Sequence, residues 1–294
     1  MVNHLHDLGA TFKKIRTSKK LTQSVVASAS GVSQSNYSKY EQDKIEINSE
    51  ALIRLTDVFD ISFNELLYIH NGYRLTEKEQ LLKRFFNCSF QDIQELTTLK
   101  ADCEQFLQKQ FRLSISEIKQ FCEALIVIQE TGSFEAARAI VRPIWQRFLK
   151  KNESYIANLY VLRAIVFILP ADEANHILSY VKQAQEKYDV FPQIAQLLVN
   201  VAFTVTSKFL QNDMYYEALE VLLQIEESYT KQHRYDQLAL VYIRKGICLN
   251  ALETAEGPFW IKKGMHLAEV LEQPLLTKVI KQELNQFPKT KQNV

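Results

Sequence analysis

The side chains best placed to do chemistry in this sequence are polar rather than reactive. Between Leu21 and Lys44 the run LTQSVVASASGVSQSNYSKYEQDK brings amides, hydroxyls and ammonium groups close together. Groups of this kind donate and accept hydrogen bonds and attract anions, but they supply neither a nucleophile with its base nor a set of metal ligands. Seven cations lie in or just before the run, Lys13, Lys14, Arg16, Lys19, Lys20, Lys39 and Lys44, against only two acids, Glu41 and Asp43. From Ile45 to His70 the balance reverses, with Arg54 alone against Glu46, Glu50, Asp57, Asp60 and Glu65. The whole chain carries a net charge of only +1. Positive charge is therefore local, and a small domain with one basic face is the electrostatic footprint of a phosphate binder.

Enzyme chemistry finds no foothold. There is no phosphate-binding GxxxxGK[ST] loop, no HExxH and no G-x-S-x-G. His4 and His6 stand near the start, while His70, His176, His233 and His266 are scattered, and the Glu226–Glu227 pair reads as solvated charge on a helix. Cys88, Cys103, Cys122 and Cys248 are widely spaced with no CxxC, each in an apolar helical stretch, so they read as small buried hydrophobes. No catalytic residue, metal or cofactor is expected. Asn3, His4, His6 and Asp7 interrupt any apolar leader, and no segment approaches the roughly 18 apolar residues of a membrane span, so a cytoplasmic, reduced protein with no membrane partner is predicted.

These side chains need helices to hold them. At 294 residues the chain has room for about two domains. Its 47% hydrophobic content allows sizeable cores, and 7 Gly and 6 Pro leave little material for hairpins, so the fold class is all-α. Leu8, Phe12 and Ile15 recur at helical spacing. Thr22 is placed to cap a second helix, Gly31 to end it in the left-handed conformation, and Ser33 to cap a third. In this pair Val26, Ala27, Val32 and Tyr37 point inward and the short polar residues outward. Asn48 or Ser49 caps a fourth helix with Leu52, Leu55 and Phe59 inside, and Ser62 a short fifth ending in Leu66 and Leu67. Five helices within residues 1–70 make one unit. Residues 71–115 read as a helical connector, with one helix from Thr76 through Leu82 and Phe86 and another from about Gln91 to Leu113.

From Ser116 onward the helices come in pairs. TGSFEAARAIV around Ala137, PADEANHIL around Ala174 and NDMYYEALEVL around Ala218 repeat a turn followed by a small residue, and EGPFWIKKGMHLAEVL opens similarly at Gly257. Spacings of 37 and 44 residues between the alanines lie near the tetratricopeptide period of ~34. A small residue lets the second helix of a pair approach the first. Because such pairs cannot bury their faces alone, residues 116–294 are expected to stack as an α-solenoid with a concave surface. The segment after Pro274, through Leu284 and Phe287, would cap it before a polar, Lys-containing tail.

Over about residues 5–68 the order Thr-Gln, Ala, Gly-Val-Ser, aromatic and Glu resembles the Cro/phage-repressor type of helix-turn-helix. One departure stands after the third helix, where that family often has Gly and this chain has Gln42 and Asp43. The resemblance implies that Gln34 and Ser35 open the recognition helix and face base edges, Gln being suited to adenine. It places Ser38 and Lys39 one turn on, and Gln23 on a phosphate at the positive end of its helix. Lys13, Lys14, Lys19 and Lys20 would then add sequence-blind affinity, or simply form a solvated face. Arg16 and Glu41 take positions that the family joins in a structural ion pair. Taken whole, a helix-turn-helix followed by degenerate tetratricopeptide-like pairs is similar to the Rgg and ComR regulators of the peptide-pheromone receptor (RRNPP) group, which also includes PlcR and PrgX. That similarity implies a homodimer, a double-stranded DNA operator and a short linear peptide held in the concave groove, as in quorum sensing.

An extended peptide exposes amides and carbonyls that amide side chains can satisfy. In IAQLLVNVAFTVTSKFL, Gln196, Asn200 and Thr204 are spaced by four and share a face, as groove lining or as paired core polars. Asn158 and Arg163 in NLYVLRAI, and Tyr242 and Lys245 in LVYIRKGI, lie on first helices of their pairs. An Arg there suits a carboxylate or a surface salt bridge, and Phe203 and Tyr242 suit apolar peptide side chains. The reading is a dimeric, peptide-sensing transcription regulator. Its rivals are a ligand-independent dimeric repressor, in which Asn200 is buried and paired, and a repeat scaffold that binds another protein.

Overall fold

The computed structural model describes residues 7–88, 90, 92–150, 155–188 and 190–287. His4, His6 and the Lys-containing tail after residue 287 lie outside the described residues. Sixteen α-helices and no strand occur among the described residues, and the chain divides into two compact units, Met1–Phe86 and Asn87–Val294.

The first unit holds α1 (Leu8–Ser18), α2 (Gln23–Ser30), α3 (Gln34–Glu41), α4 (Ser49–Val58), α5 (Phe63–His70) and nearly all of α6 (Glu77–Asn87). Four of them start where a short polar side chain can take an orphan amide. The side-chain oxygens of Thr22, Ser33, Asn48 and Ser62 accept from Val25, Asn36, Ala51 and Glu65, and each such cap contributes about 1 kcal/mol. Leu8, Phe12, Ile15, Val26, Ala27, Tyr37, Leu55, Phe59 and Leu66 close the core, with Phe12 stacked on Phe59 at 6.0 Å. The fifth helix runs to His70 rather than stopping at Leu67, because the first left-handed positions after it are Gly72 and Tyr73. On α6 the buried residues are Leu81 and Phe85.

The second unit begins with α7 (Ile93–Lys109), packed on α8 (Leu113–Thr131). The helix expected from about Gln91 to Leu113 therefore ends at Lys109, and extended backbone at Gln110 and Arg112 separates it from the next, which begins at Leu113 rather than near Ser116. No Gly or Pro marks that break. Next come α9 (Phe134–Lys150), α10 (Ile156–Ile165), α11 (Ala174–Lys187), α12 (Pro192–Gln211), α13 (Tyr215–Lys231), α14 (Tyr235–Ala251), α15 (Gly257–Val270) and α16 (Pro274–Gln286). Each of α8 to α15 packs on its sequence neighbour or on the next first helix, as α10 does on α8 and α12. Ala137, Ala174 and Ala218 are fully buried where the pairs meet. The fourth pair uses glycine instead: a Cβ on Gly264 would lie 2.8 Å from the Ala239 carbonyl, and one on Gly246 2.8 Å from that of Gly257. Side chains there would force α14 and α15 apart.

The scarcity of glycine leaves its mark at helix ends. Asp213, His233 and Glu253 take the left-handed conformation after α12, α13 and α14. In each case the next amide reaches back to close the last turn, as Thr254 does to the Leu249 carbonyl at 2.9 Å. A side chain in that conformation costs about 1–2 kcal/mol relative to glycine. Glu253→Gly is therefore expected to raise the unfolding free energy by about 0.5–1 kcal/mol, after the entropy of the freer unfolded chain is deducted. Denaturant melting of the two proteins checks this, and an unchanged or lower midpoint would contradict it.

Candidate functional site

In the first unit the polar run of α2 and α3 is fixed by one carboxylate. Glu41, at the end of α3, is almost fully buried and accepts from Arg16 of α1 through Nε at 2.6 Å and Nη2 at 3.0 Å. It also accepts from the Gln23 amide of α2 at 2.7 Å, and Arg16 Nη1 donates to the Leu21 carbonyl at 2.9 Å. Three helices thus meet at one anion. Burial pushes the Glu41 carboxyl up, but the bonds from Arg16 and Gln23 outweigh it and hold the group below the usual carboxylate range. Burial likewise pushes the adjacent Tyr37 phenol up.

The end of α3 adds a second tie. Asp43 stands where the family often has Gly and does adopt the left-handed conformation. Its amide bonds to Tyr40 and that of Lys44 to Lys39, which closes the turn, while the Asp43 carboxylate accepts from the Gly9 amide at 2.8 Å. A Cβ on Gly9 would lie 2.3 Å from the Tyr40 carbonyl, so α1 touches α3 backbone to backbone there.

What remains free on this surface is a narrower set than the run suggests. Gln34, Ser35 and Lys39 are exposed on α3. Ser38 is half-buried and takes a hydrogen bond from Gln42 at 3.0 Å. Gln23 has one amide hydrogen committed to Glu41. Lys13 is exposed, and Lys14 lies 4.6 Å from the Tyr73 ring centroid. Lys19 and Lys20 are also exposed. Asn36, which the sequence reading passed over, is exposed in the first turn of α3 beside Gln34 and Ser35. Its signal was its place directly after two assigned residues, inside the Ser33-capped turn.

In the second unit the residues assigned to a peptide are not one open cluster. On α12, Gln196, Asn200 and Thr204 are half-buried along one face. Asn200 accepts from the Tyr229 hydroxyl of α13 at 2.9 Å, and the Thr204 hydroxyl donates to its own helix at the Asn200 carbonyl. The Phe203 ring packs on Tyr229 and lies under the Arg244 guanidinium, 3.9 Å from its centroid. Asn158 is half-buried on α10 beside Tyr180, and Arg163 is exposed with no acidic partner among the described residues. Tyr242 and Lys245 are buried on α14: the ring packs on Trp260, and the ammonium joins Glu226 at 2.8 Å. Helices pack around α14 on all sides, so its polar residues face neighbours.

Two cations anchor α12 beneath these residues. Arg244 donates through Nη1 to the Phe203 carbonyl at 2.7 Å and the Thr206 hydroxyl at 2.8 Å, and pairs with Glu283 of α16 at 2.5 Å. Lys208, buried without a carboxylate, donates to the carbonyls of Phe167 and Leu169 just beyond the end of α10. Arg138 takes the intervening Ile168 carbonyl at 3.1 Å. Burial pushes the Lys208 ammonium down to about 8, and the charge of Arg138 adds to the shift.

Residues 12–66 match the Helix-turn-helix family model. No curated protein matches the sequence significantly. Solved structures match almost end to end. A candidate transcriptional regulator from Listeria monocytogenes EGD-e is 17% identical with a TM-score of 0.77, covering 97% of this chain and 98% of that one. The Streptococcus dysgalactiae SHP pheromone receptor Rgg2 is 14% identical with a TM-score of 0.70, at 95% and 100% coverage. Bacillus thuringiensis PlcR, in complex with the peptide PapR7 and DNA, is 17% identical with a TM-score of 0.62, at 94% and 99%. The chain thus carries a helix-turn-helix domain and has the fold of the Rgg2 and PlcR structures over about 95% of its length.

Two outcomes follow for the anchoring groups. Glu41→Gln strands the Arg16 charge and is expected to destabilise the first unit by about 2–3 kcal/mol. It should also remove acid lability: a carboxyl held low contributes stability above its unfolded pKa that is lost as pH falls through its folded one. Melting midpoints of wild type and variant should converge below about pH 4, and a constant gap would exclude the ion pair as the cause. Lys208 acts with the opposite sign. Its folded pKa near 8 lies below the unfolded value, so between pH 8 and 9.5 the unfolded chain holds more protons and stability rises, by at most about 1.4 kcal/mol per pH unit. Lys208→Met should lack that rise, and an identical pH slope in the two proteins would refute the assignment.

Proposed function

We propose that the protein is a non-enzymatic, DNA-binding transcription regulator of the cytoplasm, working as a homodimer on a double-stranded operator and controlled by a short linear peptide bound to its repeat unit. The observation that carries the DNA half is the first turn and a half of α3. Its Ser33 cap presents Gln34, Ser35 and Asn36 outward with Lys39 one turn on, while Tyr37, Tyr40 and Glu41 of the same helix are buried. A helix held so firmly on one side offers the other to a major groove. Gln34 and Ser35 read base edges. Lys39, Lys13 and Lys14 meet phosphates, as does Gln23 through the amide hydrogen that Glu41 leaves free, and Ser38 supports the helix's middle turn. One such unit contacts few bases, and a dimer doubles the reading. Residues 1–70 serve as the reading domain, 71–115 as connector, and 116–294 as the peptide-binding and dimerisation domain.

The peptide half draws on the likeness in fold to a pheromone receptor and to a regulator bound to peptide and DNA. Asn158, Arg163, Gln196, Asn200, Phe203, Thr204, Tyr242 and Lys245 are its assigned contacts. Of these, Arg163 and Gln196 have free polar ends and are placed to make first contact. Peptide favours one arrangement of the repeats and thereby changes how two reading domains engage an operator. A ligand-independent dimeric repressor is the second reading, favoured by the Asn200–Tyr229 hydrogen bond and by the internal partners of Tyr242 and Lys245.

Binding to the chain's own upstream DNA and to random DNA, measured across a salt series, tests the first half. Gln34→Ala with Ser35→Ala should cost about 1–3 kcal/mol on the preferred site and relax base preference. Lys13→Ala should weaken all sequences alike and lower the salt slope by about one. Equal behaviour of the two variants would displace α3 as the reading helix. Calorimetry with peptides encoded beside the gene tests the second half, and binding that survives both Gln196→Ala and Arg163→Ala would move the peptide elsewhere.

A further inference from the structure

The ends of α12, α14 and α16 meet around a recess of about 500 Å³, a size that takes small ligands, roughly 300–1,000 Å³. Its walls are apolar, formed by Leu210, Ile247, Ile261 and Leu284. Two rings line it as well, Tyr215 at the start of α13 and Phe287 just after α16. Asp213 is the only charged residue of the lining, to which no lysine, arginine or histidine belongs. Gln211 and Gln286 stand exposed there as amides. None of the residues assigned above to the peptide takes part, so the recess is separate from those contacts.

The carboxylate is held in place. The Tyr215 hydroxyl donates to Asp213 Oδ1 at 2.6 Å, and beyond the left-handed Asp213 the Met214 amide closes α12 on the Phe209 carbonyl at 2.9 Å. The other oxygen, Oδ2, takes no hydrogen bond among the described residues. The bond to Asp213 pushes the Tyr215 phenol up to about 12, burial adds to the shift, and no cation opposes it. Elsewhere in this unit the chain supplies rings with cations of its own. Arg244 lies 3.9 Å from the Phe203 centroid, Lys245 3.5 Å from that of Trp260 and Lys263 4.2 Å from that of Tyr242. Tyr215 and Phe287 have no such cation among the described residues, although a carboxylate stands beside them. Ring faces attract positive charge most strongly where water is displaced. A neutral or anionic occupant would leave the Asp213 charge desolvated and unpaired, whereas an ammonium pairs with it and lays its carbon body on the rings and aliphatic walls.

We infer that the recess between the ends of α12, α14 and α16 binds a small organic cation, an ammonium group on an apolar body. Asp213 is its counter-ion, Tyr215 and Phe287 are the rings it rests on, and Leu210, Ile247, Ile261 and Leu284 enclose its carbon atoms. Arg244 over Phe203 and Lys263 over Tyr242 are the intramolecular counterparts of the bound cation.

The probe is phenethylammonium, titrated into the full chain while the methyl signals of Leu210, Ile247, Ile261 and Leu284 are followed by NMR. Saturable shifts at these methyls are expected. Phenethyl alcohol, the neutral counterpart, should bind at least fivefold more weakly, and hydrocinnamate should not bind. Asp213→Asn should weaken the amine at least fivefold while leaving the turn intact, because Asn accepts the left-handed conformation. Tyr215→Phe keeps the ring and should cost less than threefold, whereas Tyr215→Leu should cost at least fivefold. The proposal is overturned if the methyls do not shift, if the alcohol binds as tightly as the amine, or if Asp213→Asn binds the probe unchanged. A Lys289→Ala, Lys291→Ala chain that binds the probe at least tenfold more tightly would also overturn it, because the occupant would then be the chain's own tail. Operator binding and the calorimetry described above are independent readouts, so failure here leaves the proposed function standing.

Discussion

The orientation of the exposed face of α3 depends on a single buried carboxylate. Glu41 sits where α1, α2 and α3 converge, and it takes hydrogen bonds from two of them while belonging to the third. An anion in that position is costly to desolvate, and only the bidentate Arg16 fork with the Gln23 amide makes it tolerable. The benefit is geometric. Hydrophobic contacts alone allow short helices to slide, whereas a planar guanidinium on a carboxylate fixes both distance and rotation. With the inner side of α3 locked by Glu41, and its end locked by Asp43 against the Gly9 amide, the outward direction of Gln34, Ser35 and Lys39 is settled by packing rather than by their own contacts.

A similar device appears in the repeat unit. Cations rather than carboxylates hold α12: Lys208 and Arg138 cap the three carbonyls beyond α10, and Arg244 spans α12 to α16. Carbonyls at a helix end carry partial negative charge, so a buried ammonium among them is partly compensated without an acid. The incomplete compensation shows in the lowered pKa of Lys208. Ion pairs and charged caps thus position α3 in the first unit and α12 in the second, while alanine and glycine set how closely the remaining helices approach.

How much of this is visible in the sequence depends on the range of each interaction. Caps are local, and Thr22, Ser33 and Ser62 act where the sequence places them because the bonded amide is three residues away. The left-handed residue after α3 was legible as an awkward position, and Asp43 occupies it. The small residues of the repeats were legible as spacing, Ala137, Ala174 and Ala218 being buried at helix contacts. Engagements across the fold were not. Gln23 and Glu41 are 18 residues apart, and nothing in either segment shows that the amide meets the carboxylate. Tyr242 and Lys245 carry no local mark of burial, since a helix surrounded on every side differs from a groove-lining one only in what its neighbours do. The position of the break between α7 and α8 was displaced by a few residues for a related reason: Gln110 and Arg112 are acceptable helix residues, and packing of the two arms overrides their propensity.

The two units therefore place opposite demands on their polar residues. In the first, the inward-facing Glu41 and Asp43 are paired with Arg16, Gln23 and the Gly9 amide, and Gln34, Ser35 and Asn36 are left exposed on a firmly held helix. In the repeats most polar groups near α12 and α14 are already paired within the chain, Asn200 with Tyr229 and Lys245 with Glu226. A ligand that competes for such partners must break an existing bond for each one it makes, so its net gain comes from shape and apolar burial. That favours positions where the chain has left volume, and along α12 such volume lies at its end, beside Leu210.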